Sequence, residues 1–133
     1  MRLLTVLLVL ASVACSGSPT QPDRVRSNQP FELAVGDTAV VNDGLRLRFD
    51  AVRSDSRCPM DALCVRAGEA VVGVTLSMPG EAPAGRDLET IPARSQTTYS
   101  RFTISLSQLQ PYPRSDREIH RRDYVATFIV QAQ

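Results

Sequence analysis

Apolar and polar side chains alternate along several short segments of the chain, and this pattern limits the fold more than any other feature. In residues 45–53 (LRLRFDAVR), apolar side chains occupy every second position up to Ala51. An alternation of this period is typical of a strand with one buried face. No part of the chain has the sustained three- and four-residue apolar spacing of a long amphipathic helix. The domain is therefore predicted to be all-β.

Turn residues separate the segments that are predicted to form strands. Besides residues 45–53, strands are predicted at residues 31–35, 38–41, 69–77, 86–91, 97–106 and 124–131. The turn signals between them include Asn42-Asp43-Gly44 and the MPGEAPAG segment. Six to eight short strands in one chain of this length predict a single antiparallel β-sandwich of immunoglobulin or fibronectin type. A partly closed β-barrel is the alternative.

The first fourteen residues have the organisation of a secretory signal peptide. Arg2 precedes a largely apolar run at residues 3–10, and small residues then lead to Cys15. A membrane-spanning helix needs about 20 apolar residues, and serines close this run earlier. The chain is therefore predicted to be exported, with residues 1–14 removed.

The residues before Cys15 resemble a bacterial lipobox, the motif whose cysteine becomes the acylated first residue of a lipoprotein. Ser12-Val13-Ala14-Cys15 has serine where leucine is usual, and ordinary cleavage after Ala14 is the alternative. The polar segment that follows lacks apolar periodicity, as in an extended tether. We expect a palmitate-bearing anchor on Cys15, a tether over residues 15–30 and a domain over residues 31–133. The expected location is the periplasmic side of the outer membrane; a secreted or free periplasmic protein is the alternative.

The charge of the chain gives no sign of a nucleic-acid-binding surface. All 15 basic residues are arginine, against 14 acidic residues, and Arg2 is lost with the signal peptide. The mature chain is then formally neutral, without the basic footprint of proteins that bind nucleic acids. We expect no nucleic-acid partner, and a monomer attached to the membrane only through its lipid.

The remaining cysteines, Cys58 and Cys64, form an even pair in an exported domain. In an oxidising compartment such a pair is predicted to be a disulfide. Closing so short a ring contributes about 2.4 kcal/mol, which is enough to hold a loop but not to determine the fold. Pro59 and Asp61 favour a single helical turn that would bring the two cysteines together.

Two other chemistries remain open for this cysteine segment. Thiolates and a thioether suit Cu(I), so Cys58, Met60 and Cys64 could form a copper site if the cysteines were reduced. Thiol-disulfide exchange is the other, although the spacing is not Cys-x-x-Cys. In both cases Arg57 and Asp61 are interpreted as solvated charges.

The sequence contains no recognisable catalytic constellation. Its single histidine, His120, lies among arginines and is interpreted as a solvated loop residue and not as a catalytic one. Neither a Gly-x-Ser-x-Gly motif nor a calcium-binding loop is present. We expect a non-enzyme with no catalytic residue, no cofactor and no metal.

The cysteine segment resembles a known family. Asp55-Ser-Arg-Cys-Pro59, Cys64, Ala67-Gly68-Glu69 and the Pro111-Tyr-Pro113 tail are similar to small exported bacterial proteins, often lipoproteins, that carry Asp-Ser-Arg-Cys-Pro and then Cys-x-Trp-Ala-Gly. This chain departs from the pattern at Arg66, which stands at the tryptophan position. The resemblance implies an all-β envelope domain with a Cys58 to Cys64 bridge, in a family without an established activity, and it supplies no catalytic residue.

The function predicted from these features is a lipid-anchored envelope module that binds a protein or a glycan, or serves a structural role. Loops on a rigid sheet are the usual place for binding residues. The expected contact residues are Arg57, Pro59, Met60, Arg66, Pro111, Tyr112 and Pro113. The alternatives are a periplasmic copper-binding protein and an exported protease inhibitor that presents the disulfide loop.

Overall fold

A computed structural model describes residues 22–42 and 44–133 of the chain. Their strands are β1 (Asp23–Val25), β2 (Pro30–Ala34), β3 (Thr38–Val41), β4 (Leu45–Asp55), β5 (Ala70–Ser77), β6 (Ala84–Glu89), β7 (Gln96–Tyr99), β8 (Phe102–Gln110) and β9 (Val125–Ala132). One sheet has the order β1-β3-β4-β5-β6 and the other the order β2-β9-β8-β7. Neither sheet closes on itself. The fold is therefore an all-β sandwich, as predicted, and not a barrel.

The alternation in residues 45–53 is explained by the packing of the two sheets. Leu45, Leu47 and Phe49 of β4 are fully buried, whereas the arginines between them are exposed. The ring of Phe49 meets that of Phe128, on β9 of the opposite sheet, edge to face with centroids 6.1 Å apart. Burying one side chain of this size contributes about 1.5–3 kcal/mol, so the face predicted from the sequence is the one that holds the sheets together.

Several predicted features of the N-terminal part lie outside the described residues. These are the signal peptide (1–14), the lipid-modified Cys15 and the first part of the tether. The end of the predicted tether differs from an extended linker, because β1 pairs in parallel with β3, with Val25 opposite Val41. A strand of three residues is too short to show periodicity. Among the described residues, no helix is long and apolar enough to cross a bilayer.

One predicted strand is two strands in the structure. Residues 97–106 were expected to be continuous, but the chain reverses at Ser100 and Arg101, between β7 and β8. Ser100 has a positive φ of 52°, a conformation usually supplied by glycine or asparagine. The sequence lacks both residues there, so the hairpin gave no signal. The strand predicted at residues 86–91 also begins and ends two residues earlier, as β6.

The strand ends gather the cysteine segment and two other connections at one end of the sandwich. β4 ends at Asp55, opposite Ala70, where β5 begins. In the other sheet, Gln110 at the end of β8 lies opposite Val125 at the start of β9. We call this end the cysteine pole and define it as residues 55–69, 90–95 and 110–124. The hairpins β3–β4, β5–β6 and β7–β8 lie at the opposite end.

Candidate functional site

Cys58 and Cys64 are joined in a disulfide, with their Cα atoms 5.9 Å apart. The intervening residues turn back on themselves, since the Ala62 N–H donates to the Pro59 carbonyl at 3.1 Å. The predicted staple is therefore present. A copper site at these sulfurs would first require their reduction. Among the described residues, no group of three or more metal-binding side chains of the His, Cys, Asp and Glu types is assembled.

The base of the cysteine loop, defined as residues 56–69, is closed by hydrogen bonds between its two arms. The Ser56 N–H donates to the Glu69 carbonyl at 2.8 Å, and the Cys58 N–H donates to the Ala67 carbonyl at 2.9 Å. Gly68 lies between these bonds with a φ of +66°, and a Cβ atom there would lie 1.8 Å from the Ser56 carbonyl oxygen. Only glycine fits this close approach of two backbones.

The tip of the cysteine loop is bound to the connection between β8 and β9. The Asp61 carboxylate accepts hydrogen bonds from the Ser115 backbone N–H at 2.9 Å and from its hydroxyl at 2.6 Å. These two hydrogen bonds hold the pKa of the Asp61 carboxyl below its usual range, and the bond from the Ser115 hydroxyl has the larger effect. The Met60 N–H donates to the Pro113 carbonyl at 3.0 Å. The two loops predicted separately as contact surfaces therefore form one unit.

Arg57 is not a solvated charge, and the interpretation of it as one is wrong. It is only 7% exposed. Its Nε and Nη2 donate to the two oxygens of Asp55 at 2.9 and 2.7 Å. Its Nη1 and Nη2 also donate to the carbonyls of Leu109 and Pro111 at 2.7 and 2.9 Å. Arg57 therefore fastens the cysteine loop to the end of β8, because the buried guanidinium finds its acceptors on the other sheet.

Two tyrosines complete the environment of this buried ion pair. The Tyr124 hydroxyl donates to Asp55 Oδ2 at 3.1 Å. Burial, together with the Asp55 charge, raises the pKa of Tyr124 to about 12. For Asp55, burial acts to raise the pKa, but the hydrogen bonds and charge of Arg57 outweigh it and lower the pKa. The ring of Tyr112 covers the guanidinium of Arg57, with 4.8 Å from its carbon to the ring centroid.

Large apolar side chains are exposed at the cysteine pole. Leu63 and Val65 are 105% and 103% exposed, as much as in an extended peptide, and Met60 is 64% exposed. With Tyr112, they are the four exposed large apolar side chains in the described part of the chain. Sequence reasoning missed Leu63 and Val65. The residues around Cys64, which is itself exposed, carry no local signal for this exposure.

The other predicted contact residues occupy the same pole with different exposure. Met60, Arg66, Pro111 and Tyr112 are exposed, whereas Pro59 and Pro113 are half-buried. The structure brings Met60 against Pro113 and Arg57 against Tyr112, as described above. His120 is exposed in the same connection between β8 and β9, where sequence analysis expected a solvated histidine. The exposed members of the predicted set are therefore fewer than the set itself.

A groove of about 360 Å³ lies beside the cysteine loop. Its walls come from Gly68, from the connection after β6 at Ile91 and Pro92, and from β8 at Leu106 and nearby residues. The groove exists because β7 is short: its first residue pairs with Ser105, so the rest of β8 has no strand neighbour on that side. The pole thus offers a projecting apolar tip and a depression next to it.

Replacing both Cys58 and Cys64 by serine is expected to loosen the cysteine loop without unfolding the domain. The ring closes few residues, so the expected loss in the free energy of unfolding is about 2.4 kcal/mol at most. Urea unfolding gives this loss, and amide hydrogen exchange should accelerate at residues 58–67 while the amides of β5 stay protected. Loss of the cooperative unfolding transition would contradict the role of the disulfide as a local staple.

The described part of the chain thus combines exposed apolar side chains, a braced loop and a groove at one end. No protein-family model, curated protein or solved structure matches the chain.

Proposed function

We propose that the protein is a non-enzymatic binding module of the cell envelope, anchored by a lipid on Cys15, which presents its cysteine loop to a protein partner. The observation that supports this is the full exposure of Leu63 and Val65 on a loop that is held at its base and at its tip. Exposing two such side chains on an ordered loop gives no benefit to the isolated domain. It favours binding, because a loop that is already ordered loses little entropy when a partner covers it.

A protein partner fits the tip better than a glycan does. Leu63, Val65 and Met60 present aliphatic and thioether groups, which offer sugar hydroxyls few hydrogen bonds. The centre of a protein interface is apolar and its rim is polar. The tip has this composition, with Arg66 and Asp61 as exposed polar neighbours. The groove beside the loop would receive a projection from the same partner.

The proposed anchoring is supported by the sequence of the first fifteen residues. The apolar run and the lipobox-like tetrapeptide before Cys15 are the reasons for placing the protein at the membrane. The chain joins the fold through β1, where Asp23 pairs with Ala39 of β3. Residues 55 and 70, at the cysteine pole, lie at the far ends of β4 and β5 from the β3–β4 hairpin. Asp23 is level with Leu47 of β4, so the described chain enters the fold several residues away from Asp55 at the pole.

Site-specific photo-crosslinking in cells that express the full chain tests this proposal. A photoreactive amino acid at Leu63 is expected to give a discrete adduct with a protein, and Val65→Asp in the same chain is expected to reduce it. The matched control is Ala82, an exposed position in the β5–β6 turn at the opposite end. In the same cells, Cys15→Ala should move the protein out of the membrane fraction.

The proposal fails if no adduct forms from Leu63. It also fails if Leu63 and Ala82 give the same adducts, since the cysteine loop would then have no preference for a partner. Circular dichroism of the Val65→Asp variant separates lost binding from lost folding.

A further inference from the structure

The outermost part of the cysteine loop, residues 63–66, has an open backbone. The turn before it ends at Ala62, whose N–H pairs with Pro59, and the two arms meet again at Ala67. Within the described residues, none of residues 63–66 takes part in a backbone–backbone hydrogen bond. Their donors and acceptors are therefore available to pair with the edge of another protein, as in recognition of an extended peptide.

Two aliphatic side chains of the same segment are exposed at alternate positions. Leu63 and Val65 are fully exposed on either side of Cys64, which is held by the disulfide. A site that binds an extended peptide reads alternate side chains in pockets while the backbone is held by hydrogen bonds. Leu63 and Val65 match such pockets in spacing, and both are aliphatic.

The bracing of the loop distinguishes it from an ordinary substrate. Cys64, inside the segment, forms the disulfide with Cys58. Asp61, which precedes the segment, accepts hydrogen bonds from the Ser115 N–H at 2.9 Å and the Ser115 hydroxyl at 2.6 Å. The Cys58 N–H bond to Ala67 holds the other end. A peptide fixed in this way meets an active site at a low entropic cost, and its ends stay in place while it is bound.

We infer that residues 63–66 bind across the active site of a serine endopeptidase whose primary pocket accepts aliphatic side chains, and thereby inhibit it. The inference rests on the proposed function and names the class of its partner. Binding is reversible and non-covalent, so no bond in either protein needs to form or break. The residue that enters the primary pocket is Leu63 or Val65, and the flanking Arg66 and Ala62 lie beyond it.

The test is inhibition of two proteases of opposite specificity, elastase and trypsin. The mature protein is purified from cells that express the full chain, in wild-type form and as Leu63→Lys, Val65→Lys and Ala82→Lys. Wild-type protein is expected to inhibit elastase but not trypsin. At least one of the two loop variants should inhibit trypsin and lose about 30-fold or more in affinity for elastase. Ala82→Lys, with its new lysine at the opposite end, should behave as wild type.

A gain of trypsin inhibition cannot come from misfolding, so the exchange of specificity is the decisive result. The inference is overturned if wild-type protein leaves elastase active and neither loop variant inhibits trypsin. It is also overturned if the proteases cut within residues 63–66 without being inhibited. If the photo-crosslinking at Leu63 then still yields an adduct with a protein that is not a protease, the proposed function stands and only this inference fails.

Discussion

Replacing Arg57 by methionine is expected to lower the free energy of unfolding by about 3–5 kcal/mol. The substitution leaves the Asp55 carboxylate without its cation in a site where the Asp55 and Arg57 side chains are only 9% and 4% exposed. It also removes the donors to the Leu109 and Pro111 carbonyls. The free energy of unfolding of a whole domain is about 5–15 kcal/mol, so much of the stability of this domain depends on one side chain. Urea unfolding at pH 7 measures the loss.

The matched control for Arg57→Met is Arg53→Met. Arg53 pairs with Asp87 at 2.6 Å, but both side chains are more than half exposed, so its replacement should cost far less than that of Arg57. The pH dependence gives a second check. Because the folded pKa of Asp55 is lowered, its ionised carboxylate stabilises the folded state in full only at pH values above the unfolded pKa of about 3.9. This stabilisation is lost as the pH falls through the folded value, so the deficit of Arg57→Met should shrink below about pH 4.

If Arg57→Met and Arg53→Met have equal effects at pH 7, the buried ion pair does not stabilise the pole as described. A deficit that stays constant between pH 7 and pH 3 would likewise show that the loss comes from packing alone and not from the charge of Asp55.

Replacing Gly68 by alanine is expected to destabilise the domain by about 2–5 kcal/mol. A positive φ costs alanine about 1–2 kcal/mol, and a clash that moves packed atoms adds about 1–3 kcal/mol. The new Cβ would lie 1.8 Å from the Ser56 carbonyl oxygen, and this atom belongs to backbone that cannot rotate away. The two arms of the cysteine loop must therefore separate, which breaks the hydrogen bonds between Ser56 and Glu69. Thermal unfolding and hydrogen exchange at the loop base measure both effects.

Gly85→Ala is the control for this prediction. Gly85 lies in β6, and a Cβ atom there would meet no other atom within 4 Å. The change is expected to be neutral or to stabilise the domain by about 0.4–1 kcal/mol, because alanine restricts the unfolded chain. A Gly68→Ala domain as stable as Gly85→Ala would mean that the loop base is not as closely packed as the structure shows.

The sandwich could be predicted because its main signal is local. The alternation in residues 45–53 reports directly which side chains of β4 face the core, and the turn residues report where strands end. The exceptions have little local signal. β1 has only three residues, and the β7–β8 hairpin at Ser100 uses a residue that does not favour its positive φ.

The site was harder to predict because it depends on distant partners. The environment of Arg57 is set by carbonyls more than fifty positions away, and nothing in the neighbouring residues indicates them. The disulfide was predictable, since it follows from the number of cysteines and the predicted export of the chain. The exposure of Leu63 and Val65 was not, because leucine and valine are more often buried than exposed.

The strands at the four edges of the two sheets are all short, with three residues in β1, six in β6, five in β2 and four in β7. A long bare edge is a template for aggregation, because its unpaired backbone groups recruit a strand from a neighbouring molecule. Here each of these four strands offers few unpaired groups, and the open end of β8 borders the groove beside the cysteine loop. The exposed charges of Arg86 and Asp87 lie along the longest of the edge strands. Crowded copies of this domain are therefore expected to remain separate instead of growing into a shared sheet.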